Sequence, residues 1–552
     1  MGTKVNSNYE DLITFTRASK GHALRPVSYG DELVNSGTFD DASALDDWTA
    51  TNANLSINNQ RLEVENSGSS QGTARQSITT EIGKVYEASF DVVKVSGEGN
   101  PIVRLGVSNG GAEYYSTAHS SDATISFIFT PTTTTTFWTL YTGSSTSGFS
   151  AIFDNISVKE VLFDQPDGTL TLFEHPDNVP RVEWDADRNR LGLLVEESRT
   201  NLLPYSEDFT LQSGRWANGQ KGDTSLTSGL TESPSMSDSV WKLYATSGTG
   251  TQLIQENVTV SGATDVVGSV YLKKAEYKYG GIRLLDSSQS AGYSVFIDLD
   301  DGSVFDTSTR GTPTVSDYSV QDVGNGWWRL SVITSSDGGE VNFTVAISDG
   351  TLINSFDVVS FVGDGTSGIY IYGAQVEAGS FPTSYIKNEG TSSGVTRSAD
   401  VASIPVADFG YNQSEGTVVV EAKSANVGLL SSYAFDLFEG SNEFISGTIS
   451  NSNYDLYIKN SADGMSDKAL NSTATVSANT FIKHASGFDT SEAVVVIDET
   501  ASSEVALTTL PSPSELHIGS RGNNTKFING HIKSIKYFPR RLTNAQLVDL
   551  TS

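Results

Sequence analysis

The chain contains no cysteine among its 552 residues, which excludes disulfide cross-links and thiolate metal sites. Its stability must therefore come from burial and hydrogen bonding. No run of eighteen apolar residues occurs, so no membrane-spanning helix and no membrane insertion are expected. Basic residues are few: 35 Lys and Arg stand against 66 Asp and Glu, a formal charge of −31 that argues against nucleic-acid binding. The run MGTKVNSNYEDLITF lacks the basic-then-apolar order of a secretory signal, so a chain made and used without processing is expected. Catalytic signatures are missing too. There is no HExxH or P-loop, and no GxSxG or GxGxxG run stands between a strand pattern and a helix pattern as a nucleophile elbow or dinucleotide turn requires. The six histidines, at 22, 119, 175, 484, 517 and 531, lack metal-ligand spacing. No enzyme is expected; so many acids would always permit a glycosidase-like pair, and nothing singles one out.

What is present suits folded cores: 37% of residues are hydrophobic and 10% aromatic. At ~150 residues per domain, three or four domains are expected. Helical periodicity is nearly absent. Short alternating runs recur instead, among them SFDVVKV (89–95), TISFIFT (124–130), YSVFIDL (293–299), RLSVIT (329–334) and GTVVVEAKS (416–424). Clusters of Gly, Asn, Asp, Ser and Thr separate them, the pattern of antiparallel sandwiches. The expected class is all-β, several β-sandwich (jelly-roll) domains joined by a small β platform. One helix is predicted at LTNAQLVDL (542–550), with Thr543 as its cap.

The runs divide the chain. One sandwich is expected at 31–162 and a second at 199–390, each opening with an apolar pair, a Phe-Asp or Asp-Phe step and a Trp. A third is expected at 391–552, which has no Trp: all seven lie earlier, at 48, 138, 184, 216, 241, 327 and 328. Segments 1–30 and 163–198 remain, and are expected to form the platform, with the first sandwich inserted between them and 1–30 serving as an anchor.

Two acidic runs invite a metal reading. In DADRNRLGLLVE, Asp185, Asp187, Asn189 and Glu196 fall at calcium-loop positions one, three, five and twelve. Position six, where a glycine is needed, is Arg190, and the flanks read as strands, so a hairpin turn is expected. DLDDGSVF (298–305) likewise reads as a hairpin turn.

The order FTRAS (15–19), PR (180–181), LGLLVE (191–196) and RTNL (199–202), followed by GWWRLSV (326–332), IYGAQVEAGSFPTSYI (371–386) and TRSAD (396–400), resembles a module of bacteriophage virion proteins. The first block, with NSGTFDD (35–41), Trp48 and FDNISV (153–158), resembles carbohydrate-binding jelly rolls of the family 4, 9 and 22 type, and the second resembles them more distantly. The third, containing ELHIGSRGNNTKFINGHIKSIKYFPRRLTNAQLVDL, resembles concanavalin A/laminin G-like sandwiches.

These resemblances imply a non-enzymatic virion-surface protein, a tail or head fibre or spike that displays sandwiches for host-surface polysaccharide. Capsid or tail proteins would be its partners, with homo-oligomers common in such fibres although no heptad repeat is present. A capsid or tail decoration protein with a structural role is the alternative, and a secreted polysaccharide-degrading enzyme with binding modules a further one. The carbohydrate-module resemblance also implies a structural calcium held near Asp40 and Asp154, with two solvated carboxylates as the other reading; no other cofactor is expected. A sugar's C–H face stacks on aromatic rings. The candidate platforms are Tyr114, Tyr115 and Trp138 in the first sandwich, and Trp216, Trp241 and Tyr279 in the second. Trp48, Trp327 and Trp328 are expected in core or edge packing.

Overall fold

Strands form wherever apolar residues alternate with Ser, Thr, Asp or Asn, because a period of two places one apolar row on one face of the sheet. The computed structural model describes residues 13–552 except 211–215, 217–221, 229–232, 236–239, 287, 289–290, 355–357, 426, 429–431, 451, 461–467 and 472–474. Residues 1–12 of the expected anchor segment lie outside the described residues. The fold is all-β, with two compact units: Pro26–Thr169, and Leu170–Ser552 together with the residues up to Arg25. No described helix is long and apolar enough to cross a membrane.

Within Pro26–Thr169, one five-stranded sheet runs in the order Thr49–Thr51, Thr73–Thr79, Thr135–Tyr141, Ile102–Gly106, Tyr115–Ala118. The facing sheet is built on the long strand Ser150–Phe163, flanked by Tyr86–Val93 and then Ala123–Phe129. Leu62–Asn66 pairs with the first part of that long strand, and residues 27–32 pair with its last part. A bulge between Asp154 and Ser157, where Asn155 takes φ 50, bends the strand so that it serves both partners. Between the sheets lie Trp138, Phe90, Phe153, Leu105 and Leu140, all buried.

The other unit holds two sandwiches. In the first, a six-stranded sheet centred on Thr264–Lys274, Gly368–Ala378 and Trp327–Ser336 faces a five-stranded sheet of Leu253–Val260, Gly339–Ser348, Tyr279–Asp286, Ala291–Asp298 and Val304–Gly311. Gly268 lets the layers close: a Cβ there would stand 2.7 Å from the Phe343 ring. The C-terminal sandwich draws strands from the far end of the chain. Thr14–Thr16 pairs with Val401–Pro405 at the edge of its seven-stranded sheet. The hairpin Val182–Trp184 and Arg190–Val195 extends its eight-stranded sheet by pairing with Gly530–Phe538. These platform strands therefore complete the two C-terminal sheets rather than forming a sheet of their own. The helix Asn544–Thr551 carries the expected Thr543 cap in a capping box with Gln546, and buries Leu547.

Both acidic runs are hairpin turns. Asp185 accepts from the backbone N of Asn189 at 2.8 Å and from its side chain at 3.0 Å, and Arg188 takes φ 62. In the second, the Asp298 N donates to Ser303 O at 2.8 Å, and Gly302 takes φ 72.

Glu196, the would-be twelfth calcium ligand, is buried among arginines. Arg181 meets it at 2.8 Å and Asp400 at 2.5 Å; Arg17 meets Asp400 at 3.2 Å; Arg397 meets Glu196 at 3.4 Å. Arg17, Arg181, Arg397 and Asp400 side chains are 0% exposed. Backbone and hydroxyl groups complete the cluster: Ser384 donates to Glu196 through its N and Oγ, and the Glu196 N donates to Asp400 at 3.0 Å. Burial opposes ionisation of Glu196, but Arg397 and Arg181 and the two Ser384 bonds outweigh it and hold the carboxyl well below its ordinary range. Burial and the neighbouring Arg181 pull Arg17 down to about 10.

Replacing Asp400 with Asn removes the carboxylate these guanidiniums share. Urea denaturation is expected to show a loss of about 3–5 kcal/mol, since one partner's removal leaves buried charge uncompensated. A second prediction concerns acid. In the C-terminal core His484 lies 3.9 Å from the Tyr454 ring, and neither ring nitrogen has a hydrogen-bond partner among the described residues. Burial holds its pKa at about 3, against an ordinary 6.5. The unfolded chain thus takes up this proton first, so stability is full above pH 6.5 and falls as pH drops toward 3. The loss is on the order of 4 kcal/mol, and His484→Leu is expected to flatten the decline in urea midpoint between pH 6.5 and 4.

Candidate saccharide-binding face

The five-stranded sheet of Pro26–Thr169 has Thr135–Tyr141, TTFWTLY, at its centre. Thr136, Trp138 and Leu140 turn inward and are buried; Thr135, Phe137 and Tyr141 turn outward and are half-buried, and Thr139 turns outward but is buried beneath Gly110. Register sets their neighbours. Phe137 is opposite Ser77 and Gly106, Thr139 opposite Arg75 and Arg104, and Tyr141 opposite Thr73 and Ile102. Beyond Thr73–Thr79, Thr49 is opposite Arg75 and Thr51 opposite Thr73. The outward face thus carries hydroxyls, two arginines, Ile102 and two half-buried rings about 13 Å apart along one strand, with the Glu113 carboxylate lying over Gly106.

Local contacts fix these groups. The Arg104 guanidinium carbon lies 5.1 Å from the Tyr141 ring centroid, and its Nη1 donates to Gly110 O at 3.1 Å. The Gly110 N donates in turn to Thr139 Oγ1 at 2.9 Å. Gly110 takes φ +78, and a Cβ there would stand 2.8 Å from the Tyr141 hydroxyl, so glycine is what lets this loop settle on the face. Arg75 Nε donates to Thr73 Oγ1 at 3.2 Å. Rings for a sugar's C–H face and forked donors for its oxygens thus share one sheet surface.

The structure corrects two of the expected platforms. Trp138 is 0% exposed, in the core and 5.9 Å from Phe90; Trp216 is 1% exposed, 4.9 Å from Phe209, with its Nε1 donating to Tyr205 O. Neither ring can reach a sugar. Tyr114 and Tyr115 are half-buried and close the sandwich edge against Phe129 at 5.0 Å and Phe127 at 4.5 Å. Trp241 is half-buried against the second core, its Nε1 bonded to Glu207 O at 2.8 Å. Tyr279 faces outward, stacked on Phe305 at 3.9 Å. Trp48 and Trp327 are buried, and Trp328 is half-buried with its Nε1 bonded to Leu299 O.

Asp40 and Asp154 come within electrostatic reach of each other. Burial raises the Asp154 pKa, and the charges of Asp91 and Asp40 add to the rise, while Arg61 at 3.7 Å opposes it. Asp40 accepts from Thr38 Oγ1 at 2.7 Å. Among the described residues no group of three or more His, Asp or Glu side chains could hold a metal ion.

Phe137 and Tyr141 are not among the expected platforms, because residue type alone does not say which face of a strand a ring takes. The signal that finds them is parity: once Trp138 and Leu140 are assigned inward, the odd-numbered residues must face out.

No protein-family model and no curated protein match this chain. Similar solved structures include a native heptameric SAP-like pentraxin from Limulus polyphemus, at 11% identity over 25% of this chain and 70% of that one, with a TM-score of 0.22. The CBM40 of a Ruminococcus gnavus IT-sialidase bound to alpha2,3 sialyllactose is 15% identical over 26% of this chain and 84% of that one, with a TM-score of 0.23. Domain 4 of AbnA, a GH43 extracellular arabinanase from Geobacillus stearothermophilus in complex with arabinotriose, is 13% identical over 32% and 84%, with a TM-score of 0.24. Scores this low carry no inference about what this chain binds.

Parity makes a direct prediction. Trp138→Ala is expected to cost about 3–5 kcal/mol in urea denaturation, because it empties the core. Phe137→Ala, one residue away, is expected to cost under about 1.5 kcal/mol.

Proposed function

We propose that this chain is a non-enzymatic surface protein of a bacteriophage virion, a tail or head fibre or spike, whose sandwiches bind host-surface glycan. The observation that carries the glycan reading is the outward pair Phe137 and Tyr141 on a sheet face rich in hydroxyls and carrying two arginines. A shallow open face of this kind suits a weak hold on an extended saccharide, and many copies on a particle would raise it by avidity.

The virion reading is supported by the motifs it rests on. Arg17, Arg181, Glu196, Arg397 and Asp400, drawn from FTRAS, PR, LGLLVE and TRSAD, meet in a single buried cluster. They serve as the joint of the larger unit, as a display scaffold requires. Capsid or tail proteins, host polysaccharide and further copies of the chain are its proposed partners.

On a glycan array the intact chain is expected to retain at least one bacterial surface polysaccharide. The double variant Phe137→Ala/Tyr141→Ala is expected to lose at least about tenfold in affinity, with an unchanged thermal transition. If no saccharide binds while antibodies to the chain decorate purified particles, a decoration role in assembly is the better reading. Release of reducing sugar from a bound polysaccharide would overturn the non-enzymatic one.

A further inference from the structure

Charge is divided between the two outer faces of Pro26–Thr169. The outward residues of the five-stranded sheet named above include Arg75 and Arg104, although the chain carries 66 acids against 35 bases; the one carboxylate beside them is Glu113, which lies over Gly106 and accepts from the Val107 N at 3.0 Å. The facing sheet is the reverse. Its outward positions hold Glu87 opposite Lys159, Asp91 opposite Asp154, and Glu63 and Glu65 on the adjoining strand. Among the described residues no carboxylate pairs with Arg75 or Arg104, nor with Arg329, Arg521 or Arg540, whereas Arg17, Arg181, Arg199, Arg397 and Arg541 make ion pairs.

Two guanidiniums without a carboxylate partner stand together on this one face, with donors left for a ligand. Their placement is equally specific. Both are cross-strand partners of Thr139, one on each side, so their Cα atoms are two strand spacings apart, roughly 10 Å. Thr73 tethers Arg75, while Tyr141 and Gly110 hold Arg104 flat against the sheet. Held forks of this kind match the paired oxygens of carboxylate, sulfate or phosphate.

We propose that this face selects acidic saccharides, with Arg75 and Arg104 receiving their anionic groups while Phe137 and Tyr141 contact the sugar rings. The inference rests on the saccharide reading above and names its ligand class. The net charge of −31 opposes a polyanion at long range, so recognition is a contact effect acting within about one Debye length, ~8 Å at physiological salt.

The test uses the full chain and three immobilised polymers: polygalacturonate, dextran sulfate and neutral dextran. At least one polyanion is expected to bind more tightly than dextran, with affinity falling as salt rises; the preferred polyanion identifies carboxylate or sulfate as the group received. Arg75→Gln is expected to weaken that binding about tenfold, and Arg75→Gln/Arg104→Gln to abolish it. Arg104→Gln also loses packing on Tyr141, so Arg75→Gln alone decides the matter if the double variant melts early. Equal binding to dextran, or full polyanion binding by Arg75→Gln, overturns the inference. A neutral polysaccharide held through Phe137 and Tyr141, with no polyanion bound, overturns it while leaving the saccharide reading in place. Failure to bind any saccharide removes both.

Discussion

The larger unit depends on one buried knot of charge. Three arginines share two carboxylates out of reach of water, and each comes from a different segment: Arg17 from the first described strand region, Arg181 from the turn into a hairpin, Arg397 from the entry to the C-terminal sandwich. Desolvating such groups costs several kcal/mol each, so the knot is tolerable only when every partner is in place. That condition ties distant parts of the chain together. Arg17 cannot bond the Pro176 carbonyl at 2.6 Å, nor Ser384 donate to Glu196, unless both segments have already docked.

The neighbouring motif residues extend the same logic. Arg199 packs over the Phe381 ring at 4.6 Å and bonds Glu197 at 2.7 Å. Asn201 accepts from the N of Leu203 and of Val376 and donates to Ser206 and Ile386. Buried polar groups hydrogen-bonded in this way specify one docking of the second sandwich against its entry strand, where an apolar contact would admit several. The short runs TRAS, PR, RTNL and TRSAD are therefore parts of a joint. The residues that meet a ligand are sought elsewhere, on an open sheet face.

That division explains what could be read in advance. The all-β class, the capped terminal helix and the two acidic hairpin turns were legible because each depends on neighbours a few residues apart: alternation, a Thr543–Gln546 capping box, an Asp185–Asn189 bond. The face was not legible by the same means. Trp138 and Phe137 are adjacent, and ring chemistry favours Trp as a platform; only the direction each side chain takes separates a core residue from a surface one. Trp216 failed similarly, since its burial depends on Phe209 nearby in sequence and Phe343 far away.

By itself the sequence determined class and local form: no cross-links, a strongly acidic surface, strands by alternation, turns by Asp, Asn and Gly. Tertiary structure alone decided that Glu196 is an arginine's partner, and that the hairpin ending at Val195 joins a sheet of the C-terminal sandwich. It alone brought Arg75 and Arg104 to opposite sides of Thr139. The physical reason is range. Backbone propensity and turn chemistry act over a few residues, whereas burial and ion pairing depend on segments separated by as many as 383 positions, as Arg17 and Asp400 are.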